Sequence, residues 1–217
     1  MKKLVSLIPL AIVCMLAGCT PLPDAYTEKT YISEDQQITG LCIDVRDTAI
    51  EVIPSSDGKL HIDYFDREKE TYAIEIRENH ILTMTTVNQK EWTDYFGRLP
   101  SVDLRKITAQ VPNTLLDDLS ISTSNEEISV SFLKFNDRVF LDANGADISF
   151  EQLEAGEEII LNVKNGKITG TISGSYDEYA ISCSIKKGEC NLPSNKENGR
   201  KKLVVTANHA DVNITIE

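Results

Sequence analysis

The chain is poor in the residues and patterns that most chemistries require. In 217 residues it has one tryptophan and three histidines, His61, His80 and His209, which stand far apart. No Cys-x-x-Cys or His-x-x-x-His spacing occurs, so the common zinc arrangements are excluded and no metal or other cofactor is expected. There is no serine nucleophile elbow, phosphate loop or dinucleotide fingerprint. No stretch of helical length carries a 3.6-residue apolar period, which argues against helices. Positive charge is scarce too: 22 Lys and Arg against 34 Asp and Glu leave a net charge of −12. Nucleic-acid binding needs a basic footprint, so it is not expected. The same charge repels the body of the protein from anionic lipid. The apolar stretch from Leu4 to Leu16 is too short to cross a bilayer comfortably.

That stretch follows Lys2 and Lys3 and ends in Leu16-Ala17-Gly18-Cys19. The pattern resembles the lipobox of bacterial lipoproteins. The resemblance implies a signal peptide over residues 1–18, removed after Gly18. It also implies a lipid thioether on Cys19 with palmitate-type acyl chains, since two or more chains give durable anchoring. The expected location is extracytoplasmic, at the cell membrane, or at the outer membrane where the cell has one. Residues 19–36 then read as the lipidated cysteine and a flexible tether, with Pro21, Pro23 and no sustained period.

From residue 37 onward strand signals dominate. Leu119, Ile121 and Thr123 alternate with polar residues, four residues follow, and Ile128, Val130 and Phe132 alternate again. Twenty residues on come Val139, Leu141, Ala143 and then Ile148, Phe150; twenty further, Ile159, Leu161, Val163 and then Ile168, Gly170, Ile172. Tyr179, Ile181 and Cys183 continue the series, with Cys190 and Leu192 after a corner that reads two residues longer. Leu203, Val205, Ala207 and Val212, Ile214, Ile216 close it. Asn144-Gly145, Asn165-Gly166, Gly188 and Asn208 supply corner residues that accept a positive φ. The first half is less regular, with the same gap in Ile43–Val45/Ile50–Val52 and in Ile74–Ile76/Ile81. A period near twenty with two strands per unit predicts one all-β domain over 37–217, a β-solenoid or parallel β-helix whose coils stack in chain order. A β-sandwich is the alternative; it explains short strands but not the constant period.

The stretch QVPNTLLDDLSISTSNEEISV, with Val111-Pro112, Leu119 and Ile121, and the G-x-I corners after it resemble a bacterial putative-adhesin family, a domain of unknown function with a parallel β-helix-like fold. The resemblance implies surface attachment. At Asn125-Glu126-Glu127 the family more often has glycine, which leaves that turn's geometry open.

Outward positions form two columns. Ser122, Asp142, Asn162, Ser182 and Thr206 include one carboxylate; Ser129, Ser149, Thr169, Asn191 and Asn213 include none. The second column can bind sugar or be a solvated sheet face. Residues 88–100 gather Trp92, Tyr95 and Phe96, either as binding anchors or as a cap on the core. Asp147 and Lys167 read as a surface ion pair. Cys183 and Cys190 flank one corner at inward positions, either as a disulfide or as two small core residues. These features favour a non-enzymatic, lipid-anchored adhesion or scaffold protein whose partner is a surface glycan or host matrix. An envelope-stress or signalling accessory that binds a membrane-protein partner is the alternative, and a carbohydrate-active enzyme a further one. The last strand, Ile214-Thr215-Ile216-Glu217, would leave an open sheet edge guarded by Arg200, Lys201 and Lys202, so a monomer or weak dimer is expected.

Overall fold

The computed structural model describes residues 26–33, 37–67, 69–88, 101–112 and 116–217. Alternating apolar residues give these strands: β1 (Thr27–Ile32), β2 (Gly40–Asp44), β3 (Ala49–Pro54), β4 (His61–Asp66), β5 (Glu70–Ile76) and β6 (Ile81–Asn88). β7 (Lys106–Val111), β8 (Asp118–Ser124), β9 (Ile128–Val130), β10 (Lys134–Phe135), β11 (Arg138–Asn144) and β12 (Ile148–Ala155) follow. The last are β13 (Glu158–Lys164), β14 (Lys167–Ile172), β15 (Tyr179–Lys186), β16 (Asn195–Lys196), β17 (Lys201–Asn208) and β18 (Asp211–Ile216). They form two nine-stranded sheets. The first runs β1-β4-β7-β3-β9-β12-β14-β18 with β10 beside β12; the second runs β16-β15-β17-β13-β11-β8-β2-β6-β5.

Each coil crosses from the second sheet to the first at a corner, and parallel strands of successive coils pair in register. Leu119 lies beside Val139 and Val139 beside Ile159, as the twenty-residue period requires. The architecture is therefore a two-sheeted β-solenoid rather than a hairpin-built sandwich. Inward residues seven apart recur at every corner: Ile43/Ile50, Ile121/Ile128, Leu141/Ile148, Leu161/Ile168 and Val205/Val212. None of these ten is more than 3% exposed. They belong to one continuous core running the length of the stack.

The corner itself has a fixed conformation. Four residues after the first member of each pair, φ is positive: Asp47, Asn125, Gly145, Asn165, Lys187 and His209, with φ between 53° and 88°. The N–H of this residue points at the neighbouring coil, so the hydrogen-bond ladder runs through the corner. Asp47 donates to the Ser124 carbonyl, Asn125 to Asn144, Gly145 to Lys164, Asn165 to Asn208 and His209 to Lys186, at 2.6–3.0 Å. Asn125 takes the left-handed conformation that glycine would otherwise supply, which settles the turn at Asn125-Glu126-Glu127. The positive φ falls on Asn165 and His209 rather than on Gly166 and Asn208.

Several expectations are corrected. Coils do not stack in chain order at either end. The first coil, β2/β3, lies between β6/β7 and β8/β9, and the last, β17/β18, lies inside β15. β15 is also displaced by two residues from its expected alignment: Ile181 pairs with Leu203 and Cys183 with Val205. Its corner is therefore of normal length, and the extra residues lie in the connections before and after the coil. Ile74–Ile81 is no coil corner; β5 and β6 form an antiparallel hairpin, with His80 at φ 60°. Residues 27–32, expected in the tether, form strand β1 antiparallel to β4. β1 is mostly exposed, and its polar residues suit an edge position. The edge of β18 is not open, because Cys190 bridges to Val212. Asn191 also presents its side-chain amide to the Ile214 backbone, donating to the carbonyl at 2.8 Å and accepting the N–H at 3.0 Å. Lys201 does not guard an end: it is buried, with Nζ 3.6 Å from Glu154 Oε1.

The corner geometry predicts unequal substitutions. Gly145→Val puts a β-branched residue at φ 88° with its Cβ 2.9 Å from Asn125 Oδ1, and should cost about 2 kcal/mol or more. Asn125→Gly should change stability by less than about 0.5 kcal/mol. Urea unfolding measures both, and equal losses would contradict the corner account.

Candidate functional site

The alternation that buries the core aims the intervening residues outward, so in-register stacking turns them into rows. On the first sheet the row is Thr30, Asp63, Thr108, Glu51, Ser129, Ser149, Thr169 and Asn213, one residue per strand. Asn213 sits directly beside Thr169, and Asn191 lies beyond it, tied to backbone as described. At the β1 end the row is internally bonded. Thr30 Oγ1 donates to Asp63 at 2.7 Å, and Lys106 Nζ lies 2.8 Å from Glu51. Towards β18 it opens. Ser149 donates to Glu127 Oε1 at 2.8 Å, while Ser129, Thr169 and Asn213 make no side-chain hydrogen bond among the described residues. Ser129, Ser149 and Thr169 floor a trough of about 360 Å³, flanked by Ser131, Glu51 and Glu151, and Asn213 continues the row beyond it. Register places Glu51 and Glu151 two strands and two residues apart, roughly 12 Å between backbones.

The second sheet has an acidic row, Asp44, Ser122, Asp142, Asn162, Thr206 and Ser184. Ser184 stands where Ser182 was expected, and the placement of the first coil adds Asp44. Burial pushes the Asp142 carboxyl above its ordinary range, Asp44 adds to the shift, and a hydrogen bond from Asn162 opposes it. The hollow beside Asp142 is lined by Asn162, Lys164 and Thr206 but not by Asp44, so the two carboxylates do not share it.

A second hollow, about 330 Å³, was not foreseen. Its floor is Cys42, Ser120, Phe140 and Ile160, and Arg77 and Arg138 stand at its rim. The signal was available where alternation fails, at Val139-Phe140-Leu141 and Ile159-Ile160-Leu161. The middle residue of each triplet faces outward.

The remaining candidates scatter. Trp92, Tyr95, Phe96 and Cys19 lie outside the described residues. His61 Nε2 is 2.9 Å from Asp57, and His209 Nε2 is 3.1 Å from Lys187 Nζ. Among the described residues no three His, Cys, Asp or Glu side chains are grouped to hold a metal. Asp147 accepts the backbone N–H of Lys167 at 2.8 Å rather than pairing with its ammonium. The Cys183 and Cys190 sulfurs lie 3.1 Å apart.

Because the folded-state pKa of Asp142 is raised, its charge opposes folding at neutral pH. That penalty fades as pH falls through the folded pKa. Asp142→Asn should therefore melt higher than the parent at pH 7, and the gap should close below about pH 3.5, where both forms are neutral. Thermal unfolding at the two pH values checks this.

Known proteins place the chain. No curated protein matches it significantly. The crystal structure of a "putative cell adhesion protein" from Clostridium sporogenes ATCC 15579 superposes with a TM-score of 0.63 at 11% identity, covering 89% of this chain and 100% of that one. A "putative adhesin" from Bacteroides fragilis NCTC 9343 gives a TM-score of 0.37 at 12% identity, over 87% and 97% of the two chains, too loose to argue from. The first likeness establishes the fold. Residues 38–217 match the family described as Toastrack DUF4097. The chain belongs to the Toastrack DUF4097 family.

Proposed function

We propose that this chain is a non-catalytic adhesion domain of the bacterial envelope, anchored through lipid on Cys19, whose first sheet presents its polar trough to a surface glycan. The observation that carries the reading is the row Ser129, Ser149, Thr169 and Asn213. It is a comb of hydroxyl and amide groups repeating at about 4.8 Å on a rigid, in-register sheet. Such a comb suits an extended polymer whose own hydroxyls recur. Adhesion also agrees with the description of the Clostridium sporogenes protein that shares the fold. The salt bridge from Lys106 that occupies Glu51 favours binding over hydrolysis. The lipobox-like Leu16-Ala17-Gly18-Cys19 supports the anchor, and no helix among the described residues is long and apolar enough to cross a membrane.

A glycan array probed with the full chain tests the binding. Capture of at least one glycan class is expected, weakened at least tenfold by Thr169→Trp, which fills the trough from an exposed position and leaves the circular dichroism unchanged. Absence of binding, or binding indifferent to Thr169→Trp, would remove the reading. Palmitate labelling in a bacterial host should be lost in Cys19→Ala.

A further inference from the structure

We infer that Cys183 and Cys190 form a disulfide that closes the outermost coil of the stack. The argument begins with the cross-sheet pairs seven residues apart. In five coils the two positions hold Ile, Leu or Val, pressed together across the interior. In the coil that ends the stack the same two positions hold cysteines: Cys183 pairs with Val205 in the second sheet, and Cys190 with Val212 in the first. On its outer side this coil has no further coil, only the two-residue strand β16, which pairs with Ile181 and Ser182, and Cys183 is buried beneath it while Cys190 is half-buried. A covalent bond between the two sheets closes the coil without needing a further one above it.

The local geometry agrees. The sulfurs are 3.1 Å apart, and both backbones are held: Cys183 N–H donates to the Ser194 carbonyl at 3.0 Å, and on either side of Cys190 the Asn191 N–H donates to the Val212 carbonyl at 3.2 Å and the Glu189 carbonyl accepts the Val212 N–H at 2.8 Å. The corner between them has the same length and the same left-handed residue, Lys187, as the other corners. Cys42, by contrast, faces outward on the second sheet, between Thr83 and Ser120.

The chemistry requires a disulfide donor, either a protein disulfide or a small-molecule one. Cys190 is the more exposed sulfur, while burial and the neighbouring thiol push Cys183 up to about 12. Cys190 thiolate attacks the donor disulfide and one donor thiol leaves. Cys183 then gives up its proton and displaces the second donor thiol from Cys190. Two protein thiols and one donor disulfide become one protein disulfide and two donor thiols. An extracytoplasmic location, as proposed above, would supply such a donor, but the geometric argument does not depend on it.

The test uses the full chain with oxidised glutathione as donor. Peptide mapping should show Cys183 linked to Cys190, with a loss of about 2 Da. The melting temperature should rise by roughly 5–10 °C, reversed by reductant and absent in Cys190→Ser. Cys42→Ser should behave as the parent. Free thiols at both positions, a glutathione adduct that stays on Cys190, or a bridge that leaves the melting temperature unmoved would each overturn the inference.

Discussion

The structure depends on one constraint: every corner must turn the chain by the same amount without breaking the backbone ladder. Two requirements meet there. The aliphatic residues on either side of the corner must face each other across the interior, which fixes a spacing of seven along the chain. The residue in the middle must adopt a left-handed conformation so that its N–H reaches the next coil. Asp, Asn, Gly, Lys and His all fill that position, so the conformation, not the residue type, is what repeats. A single coil satisfies neither its hydrogen bonds nor its burial. The stack is therefore the smallest unit that can fold.

The same constraint explains the outer surface. Once inward residues are in register, the outward ones are too, and every coil contributes one tooth to each row. The row on the first sheet is built from short polar groups and stays solvated. The second sheet carries two outward rows, one with Asp44 and Asp142 and one with Phe140 and Ile160. Rigid presentation of repeated groups thus comes from packing on the opposite side of the same strands, and the surface can vary while the interior does not.

Much of this was legible in the sequence. Alternation at a period of twenty gives the strands, their inward faces and the pairing of residues 119, 139 and 159, because those features depend on local pattern. The order of coils was not legible. Tyr179 and Leu203 both follow Ile159 in phase, and nothing local says which coil lies next to it. Strand β1 was missed because an exposed edge strand has no apolar alternation to show. The hairpin of β5 and β6 was misread because its gap of four residues, 77–80, has the length of a coil corner. The polar trough was readable as a column, but its contents depended on the stacking order, which put Asn191 beyond Asn213.

Placing β17 between β13 and β15 has a consequence for how the molecule is made. When β15 emerges from the ribosome, the strand that will separate it from β13 does not yet exist. Ile181 could then settle beside Leu161 in a shorter stack that satisfies the same alternation. The late strand must find this seat vacant or displace an occupant from it. The native order of the second sheet is therefore reached only once β17 lies between β13 and β15.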